Sequence, residues 1–392
     1  MTTATATNVN TSPVSGLSDE QQDFVNAIRD FAKREAGTAE QRENLTDHYT
    51  ELHNHEVAAK LGELGYLGGS VSEEYGGIGG GMVDACLFLE EAFRGLLPIA
   101  GYPVTLITAG AVNKFGTDEQ KQQVTGGMCQ GKVSAIAMSE PEAGSDVGNL
   151  SARAEKSNGG WVLNGQKTWI SAAHLAEQIL IIVRSEKTEN KHEGLTMFLV
   201  PTDSEGLEIN PIETMGGKET NDVFMTDLYL DDSAVVGEVG GGWTQLMSGL
   251  NVERLIVGAN ALGIAQRAFD DVLAYIKERK QFGRPIGSFQ VLRHRIADLA
   301  TEIEAARLLT YDVARKTDAD PMKMLPREAS MVKLLTTELV KKVTLEGMQM
   351  MGGYGYATEY DMERHVRSAL VMPIYAGTNE IQREIISKTY GL

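Results

Sequence analysis

Only two cysteines, Cys86 and Cys129, occur in 392 residues. They are far apart in sequence and give neither a disulfide framework nor zinc-ligand spacing, which fits structural thiols in a reducing cytoplasm. Basic residues are in deficit too: 36 Lys and Arg face 54 Asp and Glu, a formal net charge of −18. That balance argues against nucleic acid or an anionic membrane as the main partner, so an anionic ligand needs a local basic pocket. No apolar run approaches the roughly eighteen residues of a membrane span. No cation precedes Arg29, and the Thr/Ala/Ser-rich residues 1–16 lack a leader's apolar run. The expectation is a cytoplasmic protein with a disordered tail over 1–16.

Nucleotide-loop and metal motifs are missing as well. No glycine cluster continues into G-x-x-x-x-G-K-[ST], and no G-x-G-x-x-G leads from a strand into a helix. His53 and His55 stand two apart with Glu56 behind them, but H-E-x-x-H is absent, so no metal site is predicted.

The chain's length suggests two or three domains at roughly 150 residues each. Ser18 and Gln21 form a capping box, and Phe24, Ile28 and Phe31 recur at helical spacing, so folding is expected from Leu17. The pattern stays helical over 17–130, broken by a glycine turn at Gly76 to Gly81 and by Pro98 and Pro103. Residues 131–240 read as a small β domain. Trp161 to Leu163 and Gln166 to Ser171 are expected to flank a tight Asn164-Gly165 hairpin, followed by strands at Ile179 to Val183, Leu195 to Val200 and Asp227 to Leu230. Proline-free runs at 286–320 and 327–372 predict long helices over 241–392.

Near the C-terminus runs Tyr375-Ala376-Gly377-Thr378-Asn379-Glu380-Ile381-Gln382-Arg383. This segment resembles the C-terminal signature of the acyl-CoA dehydrogenases, flavoenzymes that desaturate acyl thioesters. The resemblance covers essentially everything past residue 17 and implies an α+β architecture: N-terminal helical domain, β-barrel-like middle domain and C-terminal helical bundle. It also implies FAD. Ile136 to Asp146 matches one flavin-binding stretch, with Ile136, Met138, Ser139, Gly144 and Ser145 at contact positions. Trp169-Ile170-Ser171 matches a second, although an isolated Trp is more often core. Arg279, Phe282 and Gln290, with Gln349, Gly352, Gly353, Thr378 and Glu380, match the cross-subunit pocket for the adenosine diphosphate part. Arginine's planar fork suits a pyrophosphate. A cofactor shared between chains implies an obligate oligomer, expected to be a homotetramer.

Ala376 stands where most of the family carries its catalytic glutamate. Glu253, in Leu250-Asn251-Val252-Glu253-Arg254-Leu255, resembles the base of the isovaleryl-CoA dehydrogenase branch. Spacing supports it independently: Leu246, Leu250, Val257, Ala261, Ile264 and Ala268 share one helix face, and Glu253 falls in that stripe. A carboxylate there is costly without a partner such as Arg254 or another arginine, and otherwise asks for a functional reason. Desolvation would strengthen it as a base toward an α proton.

The resemblance also implies that the backbone N–H at Ala376 polarises the thioester carbonyl. Ser145, Thr244, Asn251, Arg254, Ala376 and Gly377 match substrate contacts, with Arg254 steering coenzyme A or orienting the base. The expected product is a trans-2-enoyl-CoA, with electrons passing to an electron-transfer flavoprotein. A branched short-chain substrate such as isovaleryl-CoA comes first, because Ala376 leaves room beside the acyl chain. Longer or terpenoid-like acyl-CoA, a related flavin oxidase or monooxygenase, and a non-catalytic binding subunit are the alternatives.

Overall fold

The structure, a computed structural model, describes residues 16–392 apart from Ser248, and leaves out the side chains of Leu250 and Asn251. Except for Gly16, the expected tail therefore lies outside the described residues. The first helix, α1 (Asp19–Ala36), starts at the Ser18 capping box: Gln21 N donates to Ser18 Oγ at 3.2 Å, and Ser18 N to Gln21 Oε1 at 3.3 Å. It buries Val25, Ile28 and Phe31 against α2 (Met82–Arg94) and the apolar core it shares with α3 (Gly101–Phe115).

An eight-stranded sheet follows. Its strands are β1 (Ser134–Ala137), β2 (Arg153–Ser157), β3 (Gly160–Ser171), β4 (Gln178–Arg184), β5 (Leu195–Pro201), β6 (Leu207–Thr214), β7 (Gly217–Asp231) and β8 (Val235–Val236). Their order is β6-β7-β3-β2-β4-β5-β8, with β1 parallel to β4. Ile179 to Val183 are wholly buried because β4 lies inside the sheet with both faces covered.

The hairpin falls elsewhere than expected. Asn158-Gly159, at φ of 36° and 83°, makes the two-residue turn between β2 and β3, which pair from Ser157 and Gly160 outward. Asn164-Gly165 sits inside the continuous strand β3 instead. There the register shifts against β7, Gly165 takes φ 141°, and the Asn164 side chain bonds Asp227 N at 2.9 Å. Both dipeptides suit positive φ; the pairing of Ala154 with Leu163 decides which one turns, because it buries both side chains.

Helices α4 (Gly242–Met247), α5 (Leu250–Glu278), α6 (Gln290–Ala319), α7 (Pro326–Met351), α8 (Met362–Val371) and α9 (Asn379–Lys388) complete the path that positions the site. Leu246 belongs to α4, so the predicted stripe is split by Gly249 and only its later part lies on α5. The proline-free run after 327 is likewise divided, because α7 stops at Gly352, whose φ of 62° a glycine adopts without steric cost. Helix α5 joins both helical cores: Leu255, Ile256 and Ala259 pack in one, Ala261, Leu262 and Ala265 in the other. Gly258 lets α5 approach α7 closely, since a Cβ there would lie 2.5 Å from Val332 Cγ1. Among the described residues no helix is long and apolar enough to cross a membrane.

Candidate active site

One wall of the site is built from β3 and the loop after β1. Lys167 is fully buried, and its Nζ donates to Glu140 Oε1 at 2.8 Å and to Met138 O at 3.1 Å. Glu140 also accepts from Ser151 N and Oγ, each at 2.7 Å, and from Ala152 N at 3.0 Å. Burial would raise its carboxyl, but Lys167 and these hydrogen bonds hold it below the usual range. Burial in turn pushes the Lys167 ammonium down to about 8, against the pull of Glu140. Thr168 N donates to Ser139 O at 3.0 Å, so segments thirty residues apart form one edge. Ile136 and Met138 pack on the core beneath, Ser139 is half-buried, and Gly144 and Ser145 are exposed after the Glu140–Ala143 turn.

At this edge the β3 register slips against β7 between Lys167 and Ile170, and Trp169 is turned outward. Trp169 has φ 61° and is 62% exposed. Behind it Ile170 is buried, its carbonyl accepting from Asn221 Nδ2 at 2.9 Å, while Ser171 is exposed. The indole is therefore no core residue; it presents a flat face beside exposed backbone, which suits a planar ring system.

A second group of residues comes from α5, α7 and the loop before α9. Glu253, in the first turn of α5, is half-buried, and burial raises its carboxyl above the ordinary glutamate range. Arg254 and Lys333 oppose that rise through space. Arg254 is buried, and its Nε has no hydrogen-bond partner among the described residues. Tyr375 carries a hydroxyl pushed up by burial and by the nearby carboxylates of Glu219 and Glu253, so β7 also reaches this place. Ala376 and Gly377 both take positive φ, 54° and 75°, and their carbonyls accept from Gln382 Nε2 at 3.1 and 2.9 Å. Thr378 Oγ1 caps α9 by accepting from Ile381 N at 3.3 Å, and Glu380 is exposed in its first turn. Thr244 is exposed on α4; the Asn251 side chain lies outside the described residues.

A separate cavity of about 520 Å³ is lined by Arg279, Gln349, Gly352 and Gly353 together with Tyr275 and Tyr354. The Arg279 guanidinium sits 5.1 Å from the Tyr354 ring centre. Phe282, 92% exposed, and Gln290, exposed at the start of α6, do not line this cavity.

Residues 18–132, 135–233 and 240–391 match, in turn, the acyl-CoA dehydrogenase N-terminal, middle and C-terminal domains. The chain belongs to the acyl-CoA dehydrogenase family. It is 33% identical over 376 residues to the mitochondrial isovaleryl-CoA dehydrogenase of Solanum tuberosum, covering 94% of this chain and 90% of that one. A short/branched chain specific acyl-CoA dehydrogenase of Bos taurus is also 33% identical, over 382 residues, 96% of this chain and 87% of its own. Among solved structures, an acyl-CoA dehydrogenase from Geobacillus kaustophilus superposes with a TM-score of 0.89 at 32% identity, covering 96% of this chain and all of that one. The protein is thus a FAD-dependent oxidoreductase acting on acyl-CoA. Exposed Trp169, the Ser139–Thr168 edge and the arginine-bearing cavity fit that cofactor's flat ring and anionic diphosphate.

Four residues of this acyl-CoA dehydrogenase escaped the sequence reading. Lys167 and Glu140 carried no signal as a pair, because a tertiary contact, marked by the Thr168 N to Ser139 O hydrogen bond, brings them together. Glu219 lies in a strand whose boundaries are set by its partners. Lys333 was detectable: it interrupts the buried α7 stripe of Ala329, Val332, Thr336 and Val340, as Glu253 interrupts that of α5.

Proposed function

We propose that this acyl-CoA dehydrogenase converts a branched short-chain acyl-CoA, such as isovaleryl-CoA, to its trans-2-enoyl-CoA with Glu253 as base. The observation that carries the reading is the desolvated carboxylate of Glu253 on α5, combined with alanine at 376. Glu253 removes the α proton, and the freed C–H electron pair, stabilised by the acyl carbonyl that the Ala376 N–H polarises, forms the Cα=Cβ bond as hydride leaves Cβ. Fixing the carbonyls of 376 and 377 through Gln382 holds that loop in its left-handed form, independent of any side chain at 376. FAD, when bound, would supply the acceptor for that hydride. Arg254 and Thr244 orient the acyl-CoA, and Ser139, Ser171 and Trp169 hold the ring system.

The room that Ala376 leaves beside the acyl chain supports a branched acyl group. The exposed Phe282 and Gln290, at the rim of the helical part, support a nucleotide pocket completed by a second subunit in a homotetramer. An electron-transfer flavoprotein is the proposed acceptor; the solved electron-transferring flavoprotein set of Acidaminococcus fermentans includes a chain 30% identical to this one.

Anaerobic titration of the purified flavoprotein with isovaleryl-CoA and with short and long linear acyl-CoAs tests the reading. Selective bleaching of oxidised flavin by the branched thioester supports it. Stronger bleaching by a longer or terpenoid-like acyl-CoA replaces the substrate, and no bleaching by any thioester refutes the assignment.

A further inference from the structure

Lys333 has no place in the chemistry above, yet it is among the largest fully buried side chains of the protein. A lysine without exposure is expensive unless something holds its charge. Its Nζ donates to Asn379 Oδ1 at 3.0 Å, and Thr337 Oγ1 shares that same oxygen at 3.1 Å. Asn379 is itself buried, and its Nδ2 donates to Glu338 Oε1 at 3.0 Å. The Asn379 N–H donates to Pro373 O at 2.9 Å, closing the loop that carries Tyr375 and Ala376. One buried amide therefore fastens the ammonium to that loop.

Lys333 is also brought up to Glu253. Gly258, one turn beyond Arg254 on α5, meets Val332 and Thr336 of α7, so the two helices touch on either side of Lys333. Burial raises the Glu253 carboxyl and pushes the Lys333 ammonium down to about 8, and the attraction between the two groups opposes both shifts.

We propose that Lys333 is a positioning residue for the reaction: a buried counter-charge, anchored by Asn379, that favours the ionised form of Glu253 and orients it relative to the Ala376 loop. The inference rests on Glu253 being the base. The other groups bearing on this place are Arg254 on α5, Tyr375 before α9, Glu219 on β7, Glu338 on α7 and Glu380 on α9. Arg254 adds to the positive field, and Lys333 is in addition hydrogen-bonded to the residue that closes the loop.

The test is the pH profile of kcat/KM, with the carboxyl infrared band that Glu253→Gln removes as a readout independent of turnover. Lys333→Gln keeps a donor for Asn379 but no charge; it should move the acid limb and the band's midpoint upward by about one pH unit or more, the size expected for losing a near opposite charge. Lys333→Arg should return both toward wild type. Lys333→Met, which suits the apolar stripe, replaces the glutamine variant if that does not fold. A folded, FAD-loaded neutral variant with an unmoved limb and midpoint overturns the proposal. Undiminished turnover in Glu253→Gln would instead overturn the assignment of the base, and the proposal with it.

Discussion

Lys167 Nζ and Glu140 Oε1 stand 2.8 Å apart with both side chains almost completely shielded from solvent. The pair fastens the loop after β1 to the end of β3, the two segments that border the proposed flavin site. Lys167→Met leaves Glu140 buried and unpaired, and is expected to cost about 3–5 kcal/mol. Adding Glu140→Gln should recover part of it, measured by denaturant unfolding. Because the folded Glu140 carboxyl is depressed, its contribution is present above the ordinary range of about 4 and is lost as pH falls through its lower folded value.

Replacing Glu253 by Gln should lower kcat by about 10²-fold or more while FAD stays bound. Wild-type kcat/KM should rise with pH through a midpoint above the ordinary glutamate range, since burial raises this carboxyl. A raised folded value also means that stability is lost as pH rises from the ordinary glutamate range through that value, so the variant should melt no lower than wild type at pH 8.

In the Glu253→Gln background, Ala376→Glu should restore at least part of the bleaching rate, because position 376 borders the same carbonyl and retains its main-chain geometry. Rapid-mixing absorbance with the preferred thioester reads it directly.

Trp169→Ala separates a ligand-facing indole from a core one. With Trp169 62% exposed, the apoprotein's melting point should hold, while FAD affinity falls by about 3- to 10-fold, the worth of one aromatic stack. Fluorescence titration of apoprotein with FAD measures it.

Glu219, pushed up to about 7 by burial, predicts a pH-dependent penalty. Its raised folded value means that stability is lost as pH rises from the ordinary range through about 7. Glu219→Gln should therefore raise the melting point at pH 8 and leave it little changed at pH 4, as calorimetry would show.

Much of this molecule was legible residue by residue. The Ser18 cap starts α1, the apolar run at Ile179 to Val183 is a buried strand, and the part of the Glu253 stripe after Gly249 lies on a long helix. Asn158-Gly159 turns and Asn164-Gly165 does not, an outcome that local φ preference cannot rank because the two turn dipeptides, six residues apart, are equivalent. Trp169 was ambiguous for a similar reason: its type favours burial, and only the slip in the β3–β7 register turns it outward.

The sequence by itself determined the order of helical, β and helical parts, which follows from local periodicity, while its resemblance to the acyl-CoA dehydrogenases supplied the expected flavin contacts and the expectation of a carboxylate where Ala376 stands. Tertiary structure alone decided which charges meet. Lys167 reaches Glu140 across strands, and Lys333 reaches Asn379 between helices. A buried charge takes its properties from the neighbours that share its low-dielectric space, and chain order does not say which neighbours those are.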